Sequence, residues 1–149
     1  MKKLSKTVFC MSEEKKIFII NFLNKAEDTL LDAKINLENN RINNALNRIY
    51  YAVFYSVVAL GYLEGFITSK HKQLLGWFNK NFIHEKKIFD IEMYEFYRAA
   101  YKNRHEVDYT FLSNVTKTEA LEYLEMARLF ISKVKDYVEK QIKTMNLQN

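Results

Sequence analysis

The chain has 149 residues, 48% of them hydrophobic and 28% charged, with a net charge of +5. This balance excludes a disordered chain and fits a single unit with a real core. Proline is absent, glycine occurs only at 61, 65 and 76, and Cys10 is the sole cysteine, which excludes a disulfide scaffold, a glycine-rich phosphate loop and a turn-dense all-β fold.

Residues 1–11 read as a basic, mobile N-terminal tail and residues 12–144 as one all-α domain, an antiparallel up-and-down bundle of four to five helices. Five of the chain's lysines (2, 3, 6, 15 and 16) crowd into residues 1–16, opposed by Glu13 and Glu14, a local balance of +3. The remainder carries only +2, so the basic character belongs to the tail rather than to the folded body.

The first predicted helix starts at Ser12, a good N-cap followed by two glutamates, and ends near Leu37. Ile19, Phe22, Ala26, Leu30, Ala33 and Leu37 recur at helical spacing and form its apolar face. The second runs from Ile42 to Glu64. It is apolar almost all round from Ile49 onward, as a central helix is, and Gly65 is its stop. Thr68 or Ser69 is expected to cap a short third helix carrying His71, Leu74, Leu75, Phe78 and Phe82. Asp90 is expected to cap the fourth, with Phe89 and Tyr94 spaced as a hydrophobic staple. Thr116-Lys117-Thr118-Glu119 is a capping box for the fifth, whose Ala120, Ala127 and Val134 repeat every seven residues.

The longest uncharged stretch, Ile49 to Leu63, is short for a membrane span, and the apolar run Val8 to Met11 is short for a signal-peptide core. A cytoplasmic protein with no membrane contact is the expectation. His71, His84 and His105 lie 13 and 21 positions apart, so no pair has ligand spacing on one helix. No metal and no cofactor are expected, and the histidines read as surface or groove residues. Tyr50, Tyr51 and Tyr55 read as core or as a homodimer interface, since helices this apolar leave surface to cover. Arg48, just before this aromatic run, is expected to be paired or at the edge of a polar cleft.

Arg98 to Tyr109, R-A-A-Y-K-N-R-H-E-V-D-Y, is the most informative stretch. Arg98 and His105 are seven apart with Lys102 between them; Arg104 and Asp108 are four apart on one helix face. Arg104–Asp108 is either a structural ion pair or part of a polar cluster in a cleft, where an arginine could hold phosphate and a histidine or tyrosine could exchange a proton.

Taken in order, four pieces resemble the HEPN superfamily, the higher eukaryotes and prokaryotes nucleotide-binding domain. They are Phe22-Leu23-Asn24-Lys25-Ala26 with Leu31-Asp32-Ala33; Asn47-Arg48-Ile49-Tyr50-Tyr51-Ala52-Val53-Phe54-Tyr55; Lys70-His71-Lys72 with Phe78; and Arg104-His105-Glu106-Val107-Asp108-Tyr109. The resemblance spans about residues 20–138. It implies a helical homodimer that pairs with a small nucleotidyltransferase from an adjacent gene in a toxin–antitoxin-like module. It also implies a nucleotide- or RNA-facing cleft, with Arg48, Lys102 and Arg104 as binding residues. Active members are metal-independent endoribonucleases whose motif is an arginine, a polar residue, and a histidine four to six residues beyond the arginine. Arg104 and His105 fit its opening, while Asp108 and Tyr109 stand where the histidine belongs. An ionised Asp108 cannot donate a proton as an imidazolium does. The resemblance thus implies either a departed nuclease site of Arg104, His105, Asp108 and Tyr109, or a shifted frame of Arg98 and His105. In related pairs a tyrosine at the end of the motif accepts a nucleotide from the partner enzyme, which singles out Tyr109. The alternative is a non-catalytic structural or regulatory binding module with Arg104 and Asp108 in an ion-pair network.

Overall fold

The computed structural model describes residues 11–109 and 115–147, with the side chains in these ranges except those of 105–109 and 147. Among the described residues the fold is all-α: α1 (Glu13–Glu38), α2 (Ile42–Glu64), α3 (His71–Phe78), α4 (Ile91–Tyr109) and α5 (Lys117–Leu147). A π-helical segment, Asn79–Glu85, continues α3. The predicted tail, apart from Met11, lies outside the described residues.

Helix starts follow from local chemistry. The Ser12 hydroxyl accepts the Lys15 N–H at 3.1 Å, with Glu13 and Glu14 in the first turn. The Thr116 hydroxyl accepts the Glu119 N–H at 3.1 Å. One predicted start is corrected: the N-cap of α3 is Lys70, and Thr68 acts one step earlier by accepting the Lys70 N–H at 3.1 Å. Phe89 packs its ring against Phe78, Phe82 and Tyr137.

Helix α2 is the central element, packed on α1, α4 and α5. Its buried residues include Ile49, Tyr50, Val53, Val57 and Leu60. Helix α1 turns Ile19, Leu23, Ala26, Thr29, Ala33 and Leu37 inward, so Leu23 and Thr29 take the places predicted for Phe22 and Leu30, which are half-buried. Thr29 is accommodated because its hydroxyl donates to the Lys25 carbonyl at 2.7 Å. Helix α5 contributes Ala120, Ala127, Phe130, Ile131, Val134 and Val138. Among the described residues no helix is long and apolar enough to cross a membrane.

At the end of α2, Gly65 adopts φ +81°, and the Phe66 N–H donates to the Gly61 carbonyl at 2.8 Å. This tight return leads the chain into α3. A Cβ on Gly61 would stand 2.5 Å from the Phe66 carbonyl oxygen, and that oxygen belongs to the backbone. Gly61→Ala should therefore lower stability by about 1–3 kcal/mol, measured by urea unfolding, because the return must open to admit the methyl group.

Candidate functional site

Three elements converge where the sequence is most aromatic. The uncharged face of α2 supplies Tyr50, Tyr51 and Phe54. Helix α3 supplies His71, its first residue, delivered by the return after Gly65. Helix α4 supplies Tyr97, Tyr101 and Arg104, which share one face because they are spaced by four and three.

The guanidinium of Arg104 lies on a platform of tyrosine rings, 5.1 Å from the centroid of Tyr50 and 5.7 Å from those of Tyr51 and Tyr101. Its Nη1 donates to the Tyr51 hydroxyl at 3.0 Å. Its Nε is buried and has no hydrogen-bond partner among the described residues. Arg48 approaches the same ring, its guanidinium carbon 5.0 Å from the Tyr51 centroid. The Arg48 side chain donates to Asn47 Oδ1 from Nη2 at 2.8 Å and from Nε at 3.3 Å. Two guanidinium groups thus share one tyrosine, and neither is in an ion pair among the described residues. Cation–π attraction holds each cation without neutralising it.

The third chemical group is His71. Its Nδ1 is 2.6 Å from the hydroxyl of Tyr50, and its ring stacks on Phe54 at 4.1 Å, 9° from parallel. Tyr51 meets the ring edge-on at 5.7 Å. Burial, and secondarily the charge of Arg104, lowers the His71 pKa below its ordinary 6.5. Burial pushes the hydroxyl of Tyr50 far above the ordinary tyrosine range, outweighing the opposing pull of Arg104. At neutral pH His71 is therefore a neutral imidazole and Tyr50 a neutral phenol, beside guanidinium groups that stay charged. The unfolded chain takes up a proton at residue 71 as pH falls through 6.5, and the folded chain does so only at lower pH. Stability should be full above that value and decline as pH falls below it. His71→Gln should remove that part of the decline in melting temperature between pH 7.5 and 5.5.

The predicted residues divide as follows. Arg48, Tyr51 and Arg104 come together. Tyr50 is buried inside the protomer, so of the three tyrosines proposed for a dimer interface only Tyr51 and Tyr55 keep surface to offer. Arg98 and Lys102 are exposed on α4, off the face that carries Arg104. The backbones of His105, Asp108 and Tyr109 continue α4, and their side chains lie outside the described residues, as does any Arg104–Asp108 pair. Among the described residues Arg48 is held by a neutral amide and a ring, with no carboxylate paired to it. His71 was expected only as a surface or groove residue. The one signal that could have promoted it is the Lys70-His71-Lys72 piece of the resemblance.

The comparison that decides the family is a match of the HEPN domain model to residues 21–137, most of the chain and every residue named in this cleft. The chain belongs to the HEPN family. This HEPN chain is 34% identical over 129 residues to a Thermotoga maritima protein named "UPF0332 protein", covering 87% of this chain and 96% of that one. It is 35% identical over 69 residues to a Methanocaldococcus jannaschii protein named "Putative toxin MJ0142", with 46% of each chain covered.

Proposed function

We propose that this HEPN protein is the toxin-like half of a two-protein module and that its Arg104 cleft receives the phosphate of an RNA strand or nucleotide. The observation that carries the reading is the sharing of Tyr51 by Arg48 and Arg104 with no acidic partner among the described residues. Guanidinium groups on an aromatic platform, without an ion pair among the described residues, match an anion that also has a stacking face. Arginine offers phosphate a planar fork of donors, and tyrosine rings stack on bases. A homodimer and a small nucleotidyltransferase partner belong to the same proposal and rest on family membership.

The experiment is binding of a fluorescein-labelled single-stranded RNA by the purified protein, repeated at increasing salt and in EDTA. Binding that weakens with salt and disappears in Arg104→Ala supports the reading; RNA affinity equal in the two proteins overturns it. Cleavage of the same RNA in EDTA would assign an endoribonuclease, and binding without cleavage a module whose departed motif no longer cuts. Sedimentation at micromolar concentration should give twice the 17.8 kDa chain mass. Co-expression with a neighbouring nucleotidyltransferase, followed by intact-mass measurement, tests Tyr109 as a nucleotide acceptor. Added AMP mass should vanish in Tyr109→Phe.

A further inference from the structure

The hydroxyl of Tyr50 sits on a residue with 0% exposure, and its one hydrogen-bond partner among the described residues is His71 Nδ1. The neighbouring guanidinium of Arg104 can only donate, so it cannot take the phenol's hydrogen. If Nδ1 carried the ring proton and donated to Tyr50, the phenol hydrogen would be left buried without an acceptor among the described residues, which is costly. The phenol therefore donates, Nδ1 accepts, and the ring proton of neutral His71 is on Nε2. Nε2 lies across the ring from Nδ1 and so faces away from the buried hydroxyl. The ring cannot swivel freely, because Phe54 covers one face at 4.1 Å and Tyr51 stands at its edge. The imidazole is only partly buried, and it contacts the same Tyr50–Tyr51 pair that carries Arg104.

We infer that His71 is a second phosphate-binding donor of the Arg104 cleft, presenting an Nε2–H whose direction is set by Tyr50. The inference rests on the phosphate reading of that cleft and deepens it. It also excludes one role: with its lone pair engaged by Tyr50, His71 is not poised to take a proton from a substrate, so in this site it binds and orients. Sequence spacing gives no hint of this, since residues 71 and 104 lie on different helices and belong to separate pieces of the HEPN resemblance.

Two measurements test it. The first is a long-range proton–nitrogen correlation spectrum of the 15N-labelled protein at pH 7.5, assigned by comparison with His71→Gln. The expected pattern is a protonated Nε2 and a bare Nδ1, and the Nε2 signal should move on titration with 5′-AMP. An Nδ1–H tautomer overturns the proposal. The second is affinity for 5′-AMP and for a single-stranded RNA in His71→Phe and His71→Gln. Phenylalanine keeps the stack on Phe54 and loses the donor, so affinity should fall about tenfold, worth about 1.4 kcal/mol. The glutamine amide restores a donor and should recover most of it. A loss seen with both probes assigns the contact to a terminal or bridging phosphate alike; a loss with RNA alone restricts it to the strand. If His71→Phe binds both probes as tightly as the parent while Arg104→Ala does not, His71 is structural and the cleft reading survives without it. If Arg104→Ala also binds normally, the cleft reading fails and this inference falls with it. Should His71→Phe not fold, the tautomer of the parent protein and the glutamine variant still decide.

Discussion

Phe78→Ala should cost about 3–5 kcal/mol, the largest loss of stability expected from a single truncation in this bundle. Phe78 is the last residue of α3 and is fully buried. Its ring centroid is 5.5 Å from that of Phe130, 5.6 Å from Tyr97, 5.9 Å from Phe89 and 6.1 Å from Phe82. These partners belong to α5, α4, the loop before α4 and the π-helical segment, so one ring joins four parts of the chain. Truncation removes the transfer free energy of the ring and leaves a cavity whose walls are themselves large rings that cannot collapse into it. Set against a total of about 5–15 kcal/mol for a domain, that is a large fraction. The urea midpoint should fall sharply, and Phe78→Leu should recover part of the loss. A decrease under about 1 kcal/mol would show that the aromatic cluster is loosely packed and that α3 is not anchored by it.

Arg104→Ala should do the reverse, removing binding while sparing the fold. A charged donor pair on phosphate is worth about 1.5–3 kcal/mol, roughly 10- to 100-fold in affinity for RNA. The contacts the side chain makes within the protein are softer. A partly exposed cation–π contact is worth about 0.5–1 kcal/mol. The contacts with Tyr50, Tyr51 and Tyr101 converge on one guanidinium, so their contributions do not simply add. Unfolding should therefore shift by about 1 kcal/mol or less. Arg104→Lys should fall between parent and alanine in binding, since lysine keeps the charge but not the planar fork or the stack. Equilibrium RNA titration and denaturant unfolding on the same preparations check both halves. A large stability loss with unchanged binding would identify Arg104 as a structural cation.

The helices were legible because their signals are local. Ser12, Thr116 and Gly65 act within one turn of themselves, and α2 announces its central place by being apolar on every side. The inward face of α1 was less legible. Phe22 and Leu30 have the right spacing, but the neighbours of α1 decide which stripe is covered. Phe22 serves instead as a half-exposed partner for Tyr55 and Tyr62. At the site, the sequence marks Arg104 and Arg48 as residues of interest but not the ring they share. Spacing along one helix points only to residues on that helix, whereas the Arg104 guanidinium also crosses to a tyrosine 53 residues earlier. Tyr50 and His71 are likewise 21 residues apart and meet only because the return after Gly65 is tight. Contacts made by tertiary packing leave no periodicity to read.

The π-helical segment at 79–85 has a consequence for chain length. Its wide turn, with the Lys86 N–H donating five residues back to the Asn81 carbonyl, takes up more chain per turn than an α-helix would. Both Phe78 and Phe82 still reach the core, and the Phe82 carbonyl accepts from Ile88 and Phe89 N–H groups, fixing where the chain departs for α4. Deleting one residue there would allow an ordinary helix, in which each residue turns the chain by about 100°. The junction would re-phase, and α4 would set out from a different angle. The seating of Arg104 on its tyrosines is thus sensitive to the residue count of a segment that contributes nothing to the cleft, which makes 79–85 a poor place for insertions or deletions even though Lys80, His84 and Glu85 face the solvent.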